Sequence, residues 1–166
     1  YNDRVLKLIM VARFSPPKNQ KLLVDAAINL IESDIDLELT FVGDGPNLES
    51  IKHYVNQLNL NSKIYFLGSR TDIAEILTKH DVFILISNWE GFPISIIEAM
   101  RQGLTIIASD VGGVNESVEE GVNGFLIPRD NLNKLEQRIK ELYDNKNYLY
   151  LMGNNSRQKY LKNFTS

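Results

Sequence analysis

Short, almost wholly apolar runs alternate along this chain with longer stretches in which apolar residues recur every three to four positions, a pattern that predicts strands alternating with helices. The runs Val5 to Ala12, Leu37 to Val42, Ile64 to Leu67, Val82 to Ile86, Thr105 to Ala108 and Gly124 to Ile127 read as strands. Asn19 to Glu32, Leu48 to Leu58, Ile73 to Thr78 and Ile94 to Gln102 read as helices between them. Leu132 to Tyr143 and Tyr148 to Lys162 add two terminal helices with charges on their outer faces. Strands that are apolar on both faces belong inside a parallel sheet, where right-handed crossovers lay helices over each surface. The expected fold is α/β, a doubly wound parallel sheet of about six strands forming one domain over residues 1–166.

Composition narrows the partners. With 43% apolar residues the chain has ample material for one buried core. A net charge of -3 and a pI near 5.4 argue against nucleic acid, which calls for a basic stripe. The chain has no cysteine, which removes disulfides and thiolate chemistry and fits a cytoplasmic setting. The longest apolar runs are strand length, so no spanning segment is expected. Tyr1-Asn-Asp-Arg4 leads almost directly into a strand without an initiator Met, and the chain is expected to be a fragment of a longer protein.

Open parallel sheets bind ligands at the carboxyl ends of their strands, so the strand-to-helix loops form one surface. These loops hold Arg13 to Lys18, Gly43 to Pro46, Gly68 to Thr71, Ser87 to Pro93 and Ser109 to Gly113, and they concentrate the glycines and polar groups. Arg13 and Lys18 bracket Pro16-Pro17 just ahead of a helix, where a cation opposes the macrodipole by about a few tenths of a kcal/mol. A bound diphosphate would offset that cost; the alternative is a pair of solvated cations. Glu90 and Glu98 stand seven residues apart across a Gly91-Phe92-Pro93 turn, Glu90 at a strand end and Glu98 in the second turn of a helix. Glu98 lies between Ile96-Ile97 and Ala99-Met100, a setting that predicts a buried carboxylate in need of donors. Two vicinal hydroxyls, as on a ribose, would supply them. The alternative is a solvated helical glutamate.

Trp89 and Phe92 read equally as ligand platforms or packing anchors, and Gly112-Gly113 as turn formers whose amides could line a pocket. Asp34 and Asp36 spell a metal-like D-x-D at the wrong end of the sheet, while His53 and His80 lack partners at ligand spacing. Arg157, Lys159 and Lys162 read as a solvated helix face.

Val11 to Lys18, Val42 to Pro46, Phe66 to Gly68, Glu90 to Met100, Ser109 to Gly113 and Gly121 to Gly124, in this order and spacing, resemble the nucleotide-sugar half of retaining GT-B glycosyltransferases, of the glycosyl transferase group 1 kind found in bacteria. The resemblance covers nearly the whole chain and implies a C-terminal Rossmann-like domain whose N-terminal acceptor domain is absent. It implies that Arg13 and Lys18 hold the donor diphosphate, that Glu98 holds the ribose, and that Glu90 takes the catalytic position. The amides of Gly91, Phe92, Pro93 and Ile94 would meet the transferred sugar and phosphate, and Ser69 and Arg70 would border the base pocket. No metal or other cofactor is implied; the substrate would be a UDP- or GDP-linked sugar, with a hexosyl or N-acetylhexosaminyl group passed with retention to a glycan, lipid or small-molecule acceptor. The setting would be polysaccharide biosynthesis in the cytoplasm, with the full-length protein peripheral to the inner face of the membrane. Retention by double displacement and by same-face displacement stay open. Pro17, Asn19 and Asn115 depart from the family's usual residues, and Asn19 tolerates the left-handed turn that the usual glycine would allow. A sugar-nucleotide epimerase and a non-catalytic nucleotide-sugar-binding module remain alternatives, whereas a dehydrogenase would need a Gly-x-Gly-x-x-Gly turn after the first strand.

Overall fold

The computed structural model describes residues 4–165 and contains every expected strand and helix; the lead-in Tyr1 to Asp3 lies outside the described residues. In chain order these are β1 (Leu6–Val11), α1 (Gln20–Glu32), β2 (Leu37–Val42), α2 (Leu48–Gln57), β3 (Ile64–Phe66), α3 (Ile73–Leu77), β4 (Val82–Leu85), α4 (Ile94–Arg101), β5 (Thr105–Ser109), β6 (Gly124–Ile127), α5 (Leu132–Asp144) and α6 (Lys146–Asn163). A 3-10 turn at Gly112–Glu116 was not expected, because its five residues carry no apolar period.

All strand pairings are parallel, in the order β3-β2-β1-β4-β5-β6. Leu8 sits between Leu39 and Val82, and Ile107 between Ile84 and Phe125. Helix α1 packs on α2 and α5 over one face, while α4 packs on α3 and α6 over the other. Every residue of β4 and β5 is therefore buried, which explains their unbroken apolar sequence. Each large side chain removed from water stabilises the fold by about 1.5–3 kcal/mol before chain entropy is counted.

Caps set the helix starts. Asn19, Asn131 and Asn145 accept the backbone N–H of Leu22, Lys134 and Tyr148 at 3.1, 2.9 and 3.0 Å, each worth about 1 kcal/mol. Asn145 is the sole residue between α5 and α6, so the chain turns there and reaches the opposite face of the sheet. Among the described residues no helix is long and apolar enough to cross a membrane. Strand order reverses between β1 and β4, which opens a crevice beyond their carboxyl ends.

Candidate functional site

The loop after β1 is built by an alternation of in and out. Phe14 is fully buried against Phe41 and Phe66, with ring centroids 5.6 and 6.2 Å away, and this plug leaves the neighbouring Arg13 exposed. Buried Gln20 reaches back from α1 to donate to the Arg13 carbonyl at 3.0 Å. The rest of the loop lies across the end of β4: Asn19 N–H donates to Ile86 O at 2.9 Å and Asn88 N–H to Pro17 O at 3.0 Å. Lys18 is thereby carried to the β4 loop, where its ammonium contacts the Glu90 carboxylate.

Backbone-to-backbone contact fixes the neighbouring loops. Gly43 has φ +132°, and a Cβ there would stand 2.1 Å from Ala12 O. Gly112 has φ +52°, and its Cβ would stand 1.7 Å from Glu90 O. Only glycine permits either approach. The loop after β5 is thus the backing against which Glu90 is held. Ser87, also buried, donates its hydroxyl to Trp89 O at 2.7 Å and its N–H to the Ser109 hydroxyl at 3.0 Å.

The structure separates the two glutamates. Glu90 is 8% exposed and paired with Lys18, so the cost of a buried, unpartnered carboxylate falls here and is met inside the protein. Glu98 is exposed, with no side-chain partner among the described residues. The expectation that Glu98 is buried is corrected: α4 turns Ile96, Ala99 and Met100 to the core, and position 98 falls on the opposite side of the helix from Met100's row.

Arg13, Ser69 and Arg70 do come together. With Val11, Gly43 and Ile73 they line a cavity of about 350 Å³ beyond β1, β2 and β3. Lys18 is not part of its wall; it faces Glu90 instead, so the two expected diphosphate cations serve adjoining spaces. The row of turn amides also needs correcting. Pro93 has no N–H to give, and Ile94 N–H is bound to Phe92 O at 3.0 Å, which leaves Gly91 and Phe92 as the unbonded donors of that turn among the described residues. Trp89, Phe92 and Ile94 are 64%, 63% and 64% exposed, so the two aromatics are not packing anchors.

The declined signals behave as surface or scaffold. Asp36 pairs with Lys63 at 3.2 Å at the amino end of the sheet. His80 is held by Ile76 O at 2.8 Å through Nδ1 and by Thr40 Oγ1 at 3.1 Å through Nε2, and burial pushes its pKa below the ordinary value. Arg157 and Lys159 are less free than a solvated face requires: Arg157 donates to Arg101 O, and Lys159 meets Glu119 at 3.6 Å. Among the described residues no three His, Cys, Asp or Glu side chains gather as they would to hold a metal ion. Two contacts escaped the sequence, the Lys18–Glu90 pair, which depends on how the β1 loop folds back, and a fork between Arg70 and Asp72, which is local and carries no periodic signal.

Comparison with known proteins then places the chain. Residues 2–159 match the family described as "Glycosyl transferases group 1". The UDP-Gal:alpha-D-GlcNAc-diphosphoundecaprenol alpha-1,3-galactosyltransferase of Escherichia coli is 36% identical over 158 residues, covering 93% of this chain and 41% of that protein. The N-acetyl-alpha-D-glucosaminyl L-malate synthase of Bacillus anthracis is 31% identical over 160 residues, covering 96% of this chain and 42% of that protein. Among solved structures, Anabaena Alr3699/HepE in complex with UDP superimposes with a TM-score of 0.88 at 27% identity, over 96% of this chain and 45% of that one. The chain spans about two fifths of the length of the curated relatives it matches.

Proposed function

The chain belongs to the group 1 glycosyl transferases, and from that premise we propose that it is the donor-binding, C-terminal half of a retaining GT-B glycosyltransferase. The observation that carries this reading is the carboxyl edge around the β1/β4 switch point, where Arg13, without a side-chain partner among the described residues, adjoins the loop that holds the Lys18–Glu90 pair and the two turn amides left unbonded among those residues. Such a site suits a nucleoside diphosphate whose phosphates are cradled by Arg13 and Lys18 and by the Gly91 and Phe92 N–H groups.

Transfer breaks the bond between the sugar's anomeric carbon and the diphosphate oxygen and forms one from that carbon to an acceptor hydroxyl oxygen, whose proton is released as the nucleoside diphosphate departs. The charge that develops on that oxygen is stabilised by cations and amides already in place. In this account the diphosphate charge is met by Arg13 and the turn amides, with Lys18 shared between the diphosphate and Glu90, and no metal is invoked. Glu90, oriented by Lys18 and backed by Gly112, faces the sugar as the catalytic-site carboxylate, and Ser69 and Arg70 border the base. Exposed on α4, Glu98 is available to accept from both ribose hydroxyls. A UDP-linked hexose or N-acetylhexosamine is the favoured donor, since one relative's name specifies UDP-Gal and another's an N-acetylglucosaminyl group. The acceptor, a glycan or lipid, would be held by a separate N-terminal domain, with the full-length protein working in the cytoplasm at the inner face of the membrane during polysaccharide synthesis.

Calorimetric titration with UDP and GDP in EDTA tests the reading. Binding of at least one of them is expected, weakened about tenfold or more by Arg13→Ala, on the scale of a lost charge-assisted phosphate contact. A folded chain that binds neither would refute it.

A further inference from the structure

Two arginines share the wall of the cavity beyond β1, β2 and β3, and they are in opposite states. Arg13 has no side-chain partner among the described residues. Arg70 is forked onto Asp72, its Nε and one terminal nitrogen donating to the two carboxylate oxygens at 3.0 and 2.8 Å. Asp72 itself does not line the cavity. It occupies the N-cap position of α3, where an aspartate ordinarily accepts a helix N–H, yet its side chain makes no capping bond. Both oxygens are given to Arg70 instead. An exposed pair of this kind adds little to stability, so its main consequence is geometric: a planar guanidinium is locked in one orientation with its charge neutralised.

Resting on the donor-binding reading above, we propose that Asp72 is a positioning residue for the nucleobase, holding Arg70 as a flat wall of the cavity against which the base stacks while Arg13 serves the diphosphate. A second phosphate ligand would not be built this way, because the adjoining carboxylate repels an anion. Val11, Val42 and Ile73 are the apolar part of the lining, and Asp44, whose carboxylate accepts Gly45 N–H at 2.7 Å, adds a second carboxylate, which suits an uncharged, planar ring over another anion.

Asp72→Ser separates the roles, since serine keeps a good N-cap for α3 and removes the fork. Whichever of UDP and GDP binds the wild-type chain is expected to bind Asp72→Ser about fivefold more weakly and Arg70→Ala about tenfold more weakly, as for a lost stacking platform. The two changes together should cost no more than Arg70→Ala alone, because they remove one coupled device. Inorganic pyrophosphate, lacking a base, should bind Asp72→Ser as well as or better than the wild type, since an anion-repelling charge has gone. Opposite signs for the two ligands are the signature. Equal weakening of UDP and pyrophosphate, or unchanged UDP affinity, would overturn the assignment of Asp72 while leaving the donor site standing. Absence of UDP and GDP binding to the wild type would remove both.

Discussion

The two ends of the sheet both carry ion pairs, among them Lys18–Glu90 and Arg70–Asp72 at the carboxyl end, but they differ in what they leave unpaired. At the amino end several ionic groups satisfy one another: Asp81 takes the Arg4 guanidinium and accepts Lys7 N–H at 2.9 Å, Asp36 takes Lys63, and His80 is bonded through both ring nitrogens. At the carboxyl end Arg13 and Glu98 are left without partners among the described residues, turn amides are unbonded, and Trp89 and Phe92 stand in solvent. Both ends come from the same strands, so the contrast is not one of fold. It marks which end is completed by something else.

Substitutions can break that contrast, and the largest effect should come from the backing of the Glu90 loop. Gly112→Ala places a Cβ where Glu90 O now lies and imposes a left-handed backbone on alanine; a loss of about 3 kcal/mol in unfolding free energy is expected by urea titration, with loss of nucleotide binding. Unchanged stability would show that the two loops are not in contact. Next comes the Lys18–Glu90 pair, whose side chains keep 22% and 9% of their surface exposed. Lys18→Met should cost about 2 kcal/mol by stranding a mostly buried carboxylate, less than for a fully dry pair because water still reaches the lysine. Adding Glu90→Leu should return most of that stability without restoring nucleotide binding; a double variant as unstable as the single would deny that the stranded charge is the cause.

At the amino end the effects are smaller and confined to stability. Asp81→Ala is expected to cost about 1 kcal/mol through the lost Arg4 and Lys7 contacts, with UDP affinity unchanged. A change in that affinity would blur the division between the two ends. Smallest is a pH effect at His80. Burial lowers its pKa in the folded chain below the ordinary 6.5, so the unfolded chain takes up the proton first. His80 therefore favours folding fully above about pH 6.5, and that contribution declines as the pH falls through the lower, folded-state value. The slope of unfolding free energy just below pH 6.5 should flatten in His80→Gln.

The fold was legible because strand period, helix period and turn residues agree along the chain, and β4 and β5 declare their burial by having no polar member in their apolar runs except Thr105 and Ser109. Loop positions were legible for the same reason: once the strands are parallel, all five strand-to-helix loops must share one edge. What those loops do to each other was not. Glu98 was misread as buried because its apolar neighbours Ile97 and Ala99 flank it in sequence but not on its face of α4. Lys18 was placed at the crevice from its position before α1, but its turn toward Glu90 depends on the β1 loop lying along Ser87 and Asn88. Pro93, counted among the amides, could have been struck out from chemistry alone. The Arg70–Asp72 fork joins residues two apart at the start of α3 and carries no periodic signal.

The central claim, that the carboxyl edge at the β1/β4 crevice binds the nucleoside diphosphate, is tested most directly by following backbone amide resonances during titration with UDP in EDTA. The account predicts shifts at Arg13, Gly43, Ser69, Arg70, Gly91 and Phe92, with Asp36, His53 and His80 unmoved. Shifts centred instead on the hollow lined by Glu49, Lys52 and His53 beside α2 would contradict it.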